Sequence, residues 1–486
     1  MRVHVALAFA ASALLACSSW SATPTDAPAD SGTDTGTDGP ADDAPASWNR
    51  PVTPPSDQAA QAARASCGYQ AGALPAETQG ASLPDGTAIP IDTIVVVMME
   101  NRSFDHYFQA LPSAGQPTAD VAPTSATNPG ADDAGPVPFV RGTQLCFADT
   151  NHSWPGTHQQ IDHGKMDGFA ISNDSVHESP MVGPPGFLSG ARAMTYYTPQ
   201  DLPFMYWAAQ NFAIGDRYFA SVPGPTWPNR MYMYAASSFG LTTNTFPPEA
   251  TILFDYLTLR GVTWGVYASG TPGFSIFVDQ LIKYRANVHT PAELKADAAA
   301  GTLPHVVFID PLFNDESYDS NDEHPPAVME VGQSWLASVL STIMASPAWP
   351  RTAMFLNYDE HGGLYDHVPP PKACPPDALE PVDAGAAGGF DEYGIRVPFV
   401  LFSPYAKKGY VSHQVYDHTS VIRFIEARFR IPALTGRDAN ALAPWDMFDF
   451  DAPPNPAPTV PPVPVSQATL QACGTLFANV PPAYSQ

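Results

Sequence analysis

Two short acidic runs carry most of the chemistry this sequence offers. The run Thr93-Ile-Val-Val-Val-Met-Met99 is apolar or β-branched without alternation and stops at Glu100-Asn101-Arg102. Ala353-Met-Phe-Leu-Asn-Tyr358 stops in the same way at Asp359-Glu360, with His361-Gly362-Gly363 following. Carboxylate and carboxamide oxygens suit a hard divalent cation. Glu100, Asn101, Asp359 and Glu360 are therefore candidate ligands for one divalent metal ion, with coordination positions left for a substrate. The plainer alternatives are that Asn101 caps a helix running through Phe108, and that Asp359-Glu-His-Gly-Gly363 is a polar turn.

A hydroxyl nucleophile is offered by Val222-Pro-Gly-Pro-Thr226-Trp-Pro-Asn-Arg230. Prolines and Gly224 stiffen this turn, so that Thr226 is held at little ordering cost. A threonine is inert at its free pKa, and a divalent cation is one means of favouring its alkoxide. Of thirteen histidines, His152, His158, His324, His361, His367 and His418 sit in polar, motif-like contexts. An imidazole there can bond phosphoryl oxygens or protonate a leaving group.

The elements that must position these groups read as strands and helices in alternation. Further apolar runs are His305–Ile309, ending at Asp310, and Val397–Phe402, ending at Ser403, with Thr263–Tyr267 a shorter candidate. Val328, Val331, Leu336, Val339 and Ile343 recur at helical spacing before Pro347, and Thr419 or Ser420 can cap a helix carrying Val421, Ile422, Ile425 and Phe429. The pattern predicts an α/β fold with a doubly wound, mostly parallel sheet flanked by helices. In such sheets ligands bind beyond the carboxyl ends of the strands, where both acidic pairs fall.

The 486 residues carry a formal charge of −26, which excludes a nucleic-acid phosphate binder and repels any anionic substrate unless a local cation reverses the sign. Residues 1–17 pair Arg2 with an apolar run and end in Leu14-Leu-Ala-Cys17, an export signal of lipoprotein type. Membrane attachment through a lipidated Cys17 follows, at the outer membrane or cell surface. A secreted or periplasmic protein with an ordinary signal is the alternative. Residues 18–57 are rich in Ala, Pro and Asp and read as a disordered tether, 58–450 as the catalytic domain, and 451–486 as a Pro-rich tail along the surface. Cys67, Cys146, Cys374 and Cys473 predict two disulfides, with three pairings open and Cys473 pinning the tail.

Met-Met-Glu100-Asn-Arg-Ser-Phe-Asp-His-Tyr-Phe108, Gly224-Pro-Thr-Trp-Pro-Asn-Arg230, Asp322-Glu-His-Pro325, Asp359-Glu-His-Gly-Gly-Leu-Tyr-Asp-His-Val-Pro-Pro370 and Tyr416-Asp-His-Thr-Ser420 together resemble the bacterial phosphoesterase family of phospholipases C and acid phosphatases, similar in core fold to alkaline phosphatases. The resemblance implies an alkaline-phosphatase-like fold, metal ligation by Glu100, Asn101, Asp359 and Glu360, and Thr226 as nucleophile. It implies that His152 and His324 contact the phosphoryl group, with His158 an alternative to His152. Asn101, Arg230 and His158 are the expected substrate-binding residues, and His324 the expected acid for the leaving oxygen. Threonine at the nucleophile position leans toward phospholipase C, acting on phosphatidylcholine-type membrane lipids, over an acid phosphatase. It also argues against a sulfatase, because threonine cannot yield formylglycine. Asp366-His367 and Asp417-His418 are candidates for a second metal site. A lipid-anchored, calcium-dependent binding protein is the non-enzymatic alternative.

Overall fold

The computed structural model describes residues 42–131, 135–174, 189–313, 317–382 and 387–477. The expected export signal at residues 1–17 lies outside them.

Eight strands form the central sheet: β1 Thr93–Met99, β2 Ala213–Gly215, β3 Trp264–Ala268, β4 Val288–His289, β5 Val306–Asp310, β6 Thr352–Tyr358, β7 Phe399–Phe402 and β8 Tyr410–Ser412. Their order is β8-β2-β7-β6-β1-β5-β3-β4. All pairings are parallel except those of β7, which runs antiparallel between β6 and β2. Every residue of β1 and β6 is buried, as an apolar run without alternation requires of a strand covered on both faces. The α/β, mostly parallel architecture is the one the sequence predicts. β2, β4 and β8 are three, two and three residues long, too short to carry a pattern.

Register does the positioning. Thr93 pairs with Thr352 and the ladder runs without a slip to Met99 beside Tyr358. Glu100-Asn101 and Asp359-Glu360 therefore leave the sheet side by side, and the Asp359 amide still donates to the Met99 carbonyl at 3.1 Å. β5 flanks β1 on its other edge and ends at Asp310.

Five helices matter to the site: α1 Phe104–Phe108, α2 Trp154–Ile161, α3 Thr226–Ala235, α4 Met329–Met344 and α5 His418–Phe429. Asn101 does not cap α1. Ser103 does, accepting from the His106 amide. The cap of α5 is Asp417 rather than Thr419 or Ser420, and Ser420 accepts in return from the Asp417 amide at 3.1 Å.

The predicted tether departs from expectation. Within it, Ala46–Asn49 forms a 3₁₀ turn whose Trp48 ring lies 4.9 Å from Tyr256, and Arg50 pairs with Glu77 at 2.6 Å. An aromatic ring with a partner to bury against outweighs the disorder-prone composition around it. In the Pro-rich tail the chain is irregular until the helix Gln467–Phe477. That helix carries Cys473, bonded to Cys146, while Cys67 pairs with Cys374.

A buried ionic network fixes the loops that leave β1 and β6. Arg396 meets Asp105 at 3.0 Å and Asp366 at 2.8 Å, and the Ser103 hydroxyl donates to the Tyr365 carbonyl at 2.7 Å. His367 adds Nδ1 to Asp105 at 2.6 Å and Nε2 to Asp120 at 3.3 Å. Asp366-His367, a candidate for a second metal, comes together with Asp105 closely enough to hold a cation, and the Arg396 guanidinium already brings one positive charge there. Asp417 is likewise engaged, by the Ser221 hydroxyl at 2.8 Å and the Arg437 guanidinium at 3.7 Å. Burial alone lowers the His367 pKa, but the bond to Asp105 and the charges of Asp105 and Asp366 outweigh it and raise the value above 6.5.

Two outcomes are expected. A group with a raised folded-state pKa stabilises fully below its unfolded pKa, and that contribution fades as pH rises through the folded value. The stability gap between wild type and His367→Gln, from thermal melts across pH, is therefore widest near about pH 5.5 and narrows above about pH 7. A gap that widens with pH contradicts the pairing. Cys473→Ser, which opens a loop spanning 327 residues, lowers unfolding free energy by about 2–4 kcal/mol in urea titrations.

Candidate active site

Glu100, Asn101, Asp359 and Glu360 come together, all buried, at the carboxyl edge of β1 and β6. The Asn101 amide donates to Asp359 Oδ1 at 3.3 Å, and the Glu360 amide donates to the same oxygen at 2.8 Å. Asn101 takes a left-handed conformation, φ +59°, which turns the chain sharply off the strand. Gly362, at φ +65°, packs against that turn, and a Cβ there would lie 2.5 Å from the Asn101 carbonyl oxygen. Only glycine allows the two loops to close to this distance.

Arg230 joins the two acidic pairs. Its Nη2 donates to Glu100 Oε1 and its Nε to Asp359 Oδ2, each at 3.0 Å, and its side chain is 0% exposed. Arg230, expected to bind substrate, turns Nε and Nη2 inward onto carboxylates and lies over the Phe313 ring at 4.5 Å, while its Nη1 is without a hydrogen-bond partner.

One guanidinium does not neutralise three carboxylates. Burial raises the Glu100 pKa well above its usual range, and Asp322, Asp359 and Glu360 add to the rise against the opposing pull of Arg230. Burial pushes Glu360 up to about 8, with Asp359 contributing and His152 opposing. Asn101 Oδ1 and Glu360 Oε1 are buried oxygens without a hydrogen-bond partner. An orphaned acceptor of this kind costs about 1–3 kcal/mol. Two unfilled oxygens amid excess negative charge fit a hard divalent cation, so the residues present suit the metal their types predict.

Thr226 is the first residue of α3 and Arg230 lies one turn later, on the same face of the helix. The ion pairs of Arg230 hold that face of α3 against the two acidic pairs. Thr226 is 5% exposed. The turn before it is laced by Asn229, whose Oδ1 accepts from the Val222 amide at 3.0 Å and whose Nδ2 donates to the carbonyls of Gly224 at 2.9 Å and Pro225 at 3.1 Å. The Trp154 ring lies flush on Gly224, where a Cβ would come within 2.8 Å of a ring carbon. Asn244 accepts from the Trp227 amide at 2.9 Å, satisfying a first-turn donor of α3 from a distant loop.

His152 and His324 flank this centre, with ring centroids 5.8 Å apart, and Asp149 completes a cluster with them. His152 Nδ1 lies 2.7 Å from the Thr150 carbonyl and 3.5 Å from Asn101 Nδ2. His324 Nδ1 lies 2.6 Å from the Pro325 carbonyl. Each carbonyl places the ring proton on Nδ1 and turns Nε2 away from it. Burial lowers the pKa of His324. For His152 burial acts the same way, but Glu360, Asp149, the Thr150 carbonyl and Asp359 outweigh it and raise the value to about 9. His158 is not drawn in: its Nδ1 bonds the Trp154 carbonyl at 2.8 Å, and its Nε2 lies against Gly388.

Three supports escape the residue-type reading. Asn229 is an ordinary polar residue by type, and only its place after Pro-Gly-Pro hints at a turn buckle. Glu323, buried at φ +72°, accepts from the Tyr107 hydroxyl at 2.7 Å and from Gln333 at 2.8 Å, which fixes the backbone just before His324. The Glu100 amide donates to the Asp322 carbonyl at 3.0 Å, so this segment lies along the end of β1.

Residues 91–432 match the Phosphoesterase family. Non-specific phospholipase C1 of Arabidopsis thaliana is 34% identical over 382 residues, covering 72% of this chain and 69% of that protein. Phospholipase C B of Mycobacterium tuberculosis is 32% identical over 447 residues, covering 80% of this chain and 83% of that one. Among solved structures, an alkaline phosphatase superfamily protein from Vibrio parahaemolyticus overlaps 57% of this chain and 80% of its own at 12% identity and TM-score 0.31, too loose a likeness to carry an argument. The family match across most of the chain, with relatives above 30% identity, leads to one conclusion: this chain belongs to the Phosphoesterase family and is a phosphoric ester hydrolase.

Proposed function

We propose that the chain is a phospholipase C-type hydrolase of phosphatidylcholine-like lipids that depends on a divalent cation and uses Thr226 as its nucleophile. The observation that carries this reading is the Arg230 clamp, which ties the helix beginning at Thr226 to Glu100 and Asp359 at 3.0 Å each. The phospholipase C names of the relatives support the substrate class.

Glu100, Asn101, Asp359 and Glu360 would hold the cation, which when bound supplies positive charge for the phosphoryl oxygens and for the ionised threonine. The protein's own residues do the rest. Asn229 and the proline turn hold Thr226 in one conformation, so little entropy is lost on attack. The Thr226 oxygen displaces the alcohol and forms a phospho-threonine, which water then hydrolyses. Catalysis of phosphoryl transfer is chiefly charge placement, a role in which Asn101 and His152 support the cation. His324 is the acid for the leaving oxygen, as the resemblance implies. Its Nδ1 is bonded to the Pro325 carbonyl, which leaves Nε2 to hand over the proton.

Thr226→Ala is expected to lower turnover by about 10³-fold or more while its melting temperature stays within a few degrees of wild type. Wild-type rates in that variant remove Thr226 from the reaction. Glu360→Gln is expected to reduce bound metal, measured by elemental analysis of the purified protein, and chelation silences the wild type. Side-by-side assays decide the ester: phosphatidylcholine is expected to turn over faster than p-nitrophenyl phosphate, and the reverse order makes the chain a phosphomonoesterase.

A further inference from the structure

An exposed apolar rim stands directly beside Thr226. Phe246 is 59% exposed, and its ring lies 4.9 Å from that of Trp227, the residue next to Thr226. The loop that carries it is anchored to the start of α3 by the bond from the Trp227 amide to Asn244. A second loop joins it: the Val382 amide donates to the Gly240 carbonyl at 2.9 Å, and Ser237 donates to Asp377 at 2.9 Å. That loop presents Leu379 and Val382, 51% and 61% exposed, and begins at Cys374, which the disulfide to Cys67 ties down.

Large aliphatic and aromatic side chains exposed on stiffened loops at the mouth of a site call for an apolar partner. Charge narrows the choice. Residues 239–250 and 375–382 contain Glu249, Asp377 and Glu380 and no Lys or Arg. An anionic membrane, which recruits proteins through basic residues, repels such a rim. A zwitterionic phospholipid surface offers its outermost quaternary ammonium groups to the carboxylates and its acyl region to the three apolar side chains. We infer that Phe246, Leu379 and Val382 form an interfacial docking surface that seats Thr226 on a zwitterionic phospholipid layer. The inference rests on the phospholipase reading for its substrate, but the docking itself does not require hydrolysis.

The test separates the two. Full-length Thr226→Ala protein leaves vesicles intact, and its co-sedimentation with phosphatidylcholine vesicles is compared with the same protein carrying Leu379→Ser and Val382→Ser. Binding is expected to weaken by about tenfold in the double variant, as losing two partly inserted aliphatic side chains implies. Phe246→Ser is expected to weaken it further. With Thr226 restored, the Leu379→Ser/Val382→Ser protein is expected to hydrolyse monomeric p-nitrophenyl phosphorylcholine within about twofold of wild type while losing about tenfold on vesicles. Unchanged vesicle binding overturns the inference, as does tighter binding to phosphatidylglycerol vesicles, an equal loss on both esters, or a dimer in solution that the same substitutions dissolve. If wild type hydrolyses neither ester while vesicle binding responds as expected, the docking surface stands and the phospholipase chemistry falls.

Discussion

The contact on which the rest of the site depends is the Arg230 guanidinium between Glu100 and Asp359. It lies wholly within the protein, where removing charges from water is expensive and the attraction between them repays that expense only if geometry is good. Here both bonds are at 3.0 Å and the acceptors are on adjacent parallel strands whose register is fixed over seven residue pairs. The strands set the spacing of the carboxylates, the carboxylates set the place of the guanidinium, and the guanidinium sets the helix on which Thr226 begins. A buried pair of this kind is weak evidence for stability and strong evidence for position. Its value lies in coupling the helix face to the sheet edge.

The same arrangement explains why the clamp leaves an appetite for a cation. A single positive charge on Arg230 faces Glu100, Asp359 and, through its unbonded Nη1 side, Asp310 at the end of β5, whose pKa burial raises. Glu360 and Asn101 then bring oxygens that no protein donor meets. By contrast, around Arg396 the acids have their bonds: Asp105 and Asp366 are each bonded by the guanidinium and by backbone amides. Two buried acid clusters with similar composition thus differ in satisfaction. The satisfied one braces loops, and the unsatisfied one is suited to chemistry.

What was legible in the sequence follows from this difference in range. Long apolar runs announce buried strands because burial on both faces leaves no room for alternation, and β1, β5 and β6 appear within one residue of where their patterns place them. Acids at their ends were legible as ligand candidates because a carboxylate directly after a buried strand needs a reason. Direction was not legible. Nothing in the residue type separates an Arg230 that reaches out to a substrate from one that reaches in to Glu100, since both need the same guanidinium. What separates His152 from His324 was hidden for the same reason: Asp149 and Asp359 act on both imidazoles and Glu360 on His152, and that is set by loops hundreds of residues apart. Local composition misled at Trp48, where one ring with a partner outweighs the tendency of the surrounding Ala and Pro.

Charge balance bears on what this protein can accept. Only 22 Lys and Arg stand against 48 Asp and Glu, and Arg102, Arg230, Arg396, Arg423 and Arg437 are buried, bonded to carboxylates and carbonyls. Among the described residues 13 acidic side chains are buried beside them, so the surface is acidic by less than the net charge of −26. At physiological ionic strength that field is screened beyond about 8 Å, so it acts on what touches the protein rather than on distant ligands. A small phosphate monoester, carrying close to two negative charges, meets that repulsion in full at an acidic surface. A phosphodiester whose single charge is matched by a quaternary ammonium meets almost none. On the phospholipase reading proposed above, that difference favours the zwitterionic diester before either ester reaches the interior groups, which themselves suit both.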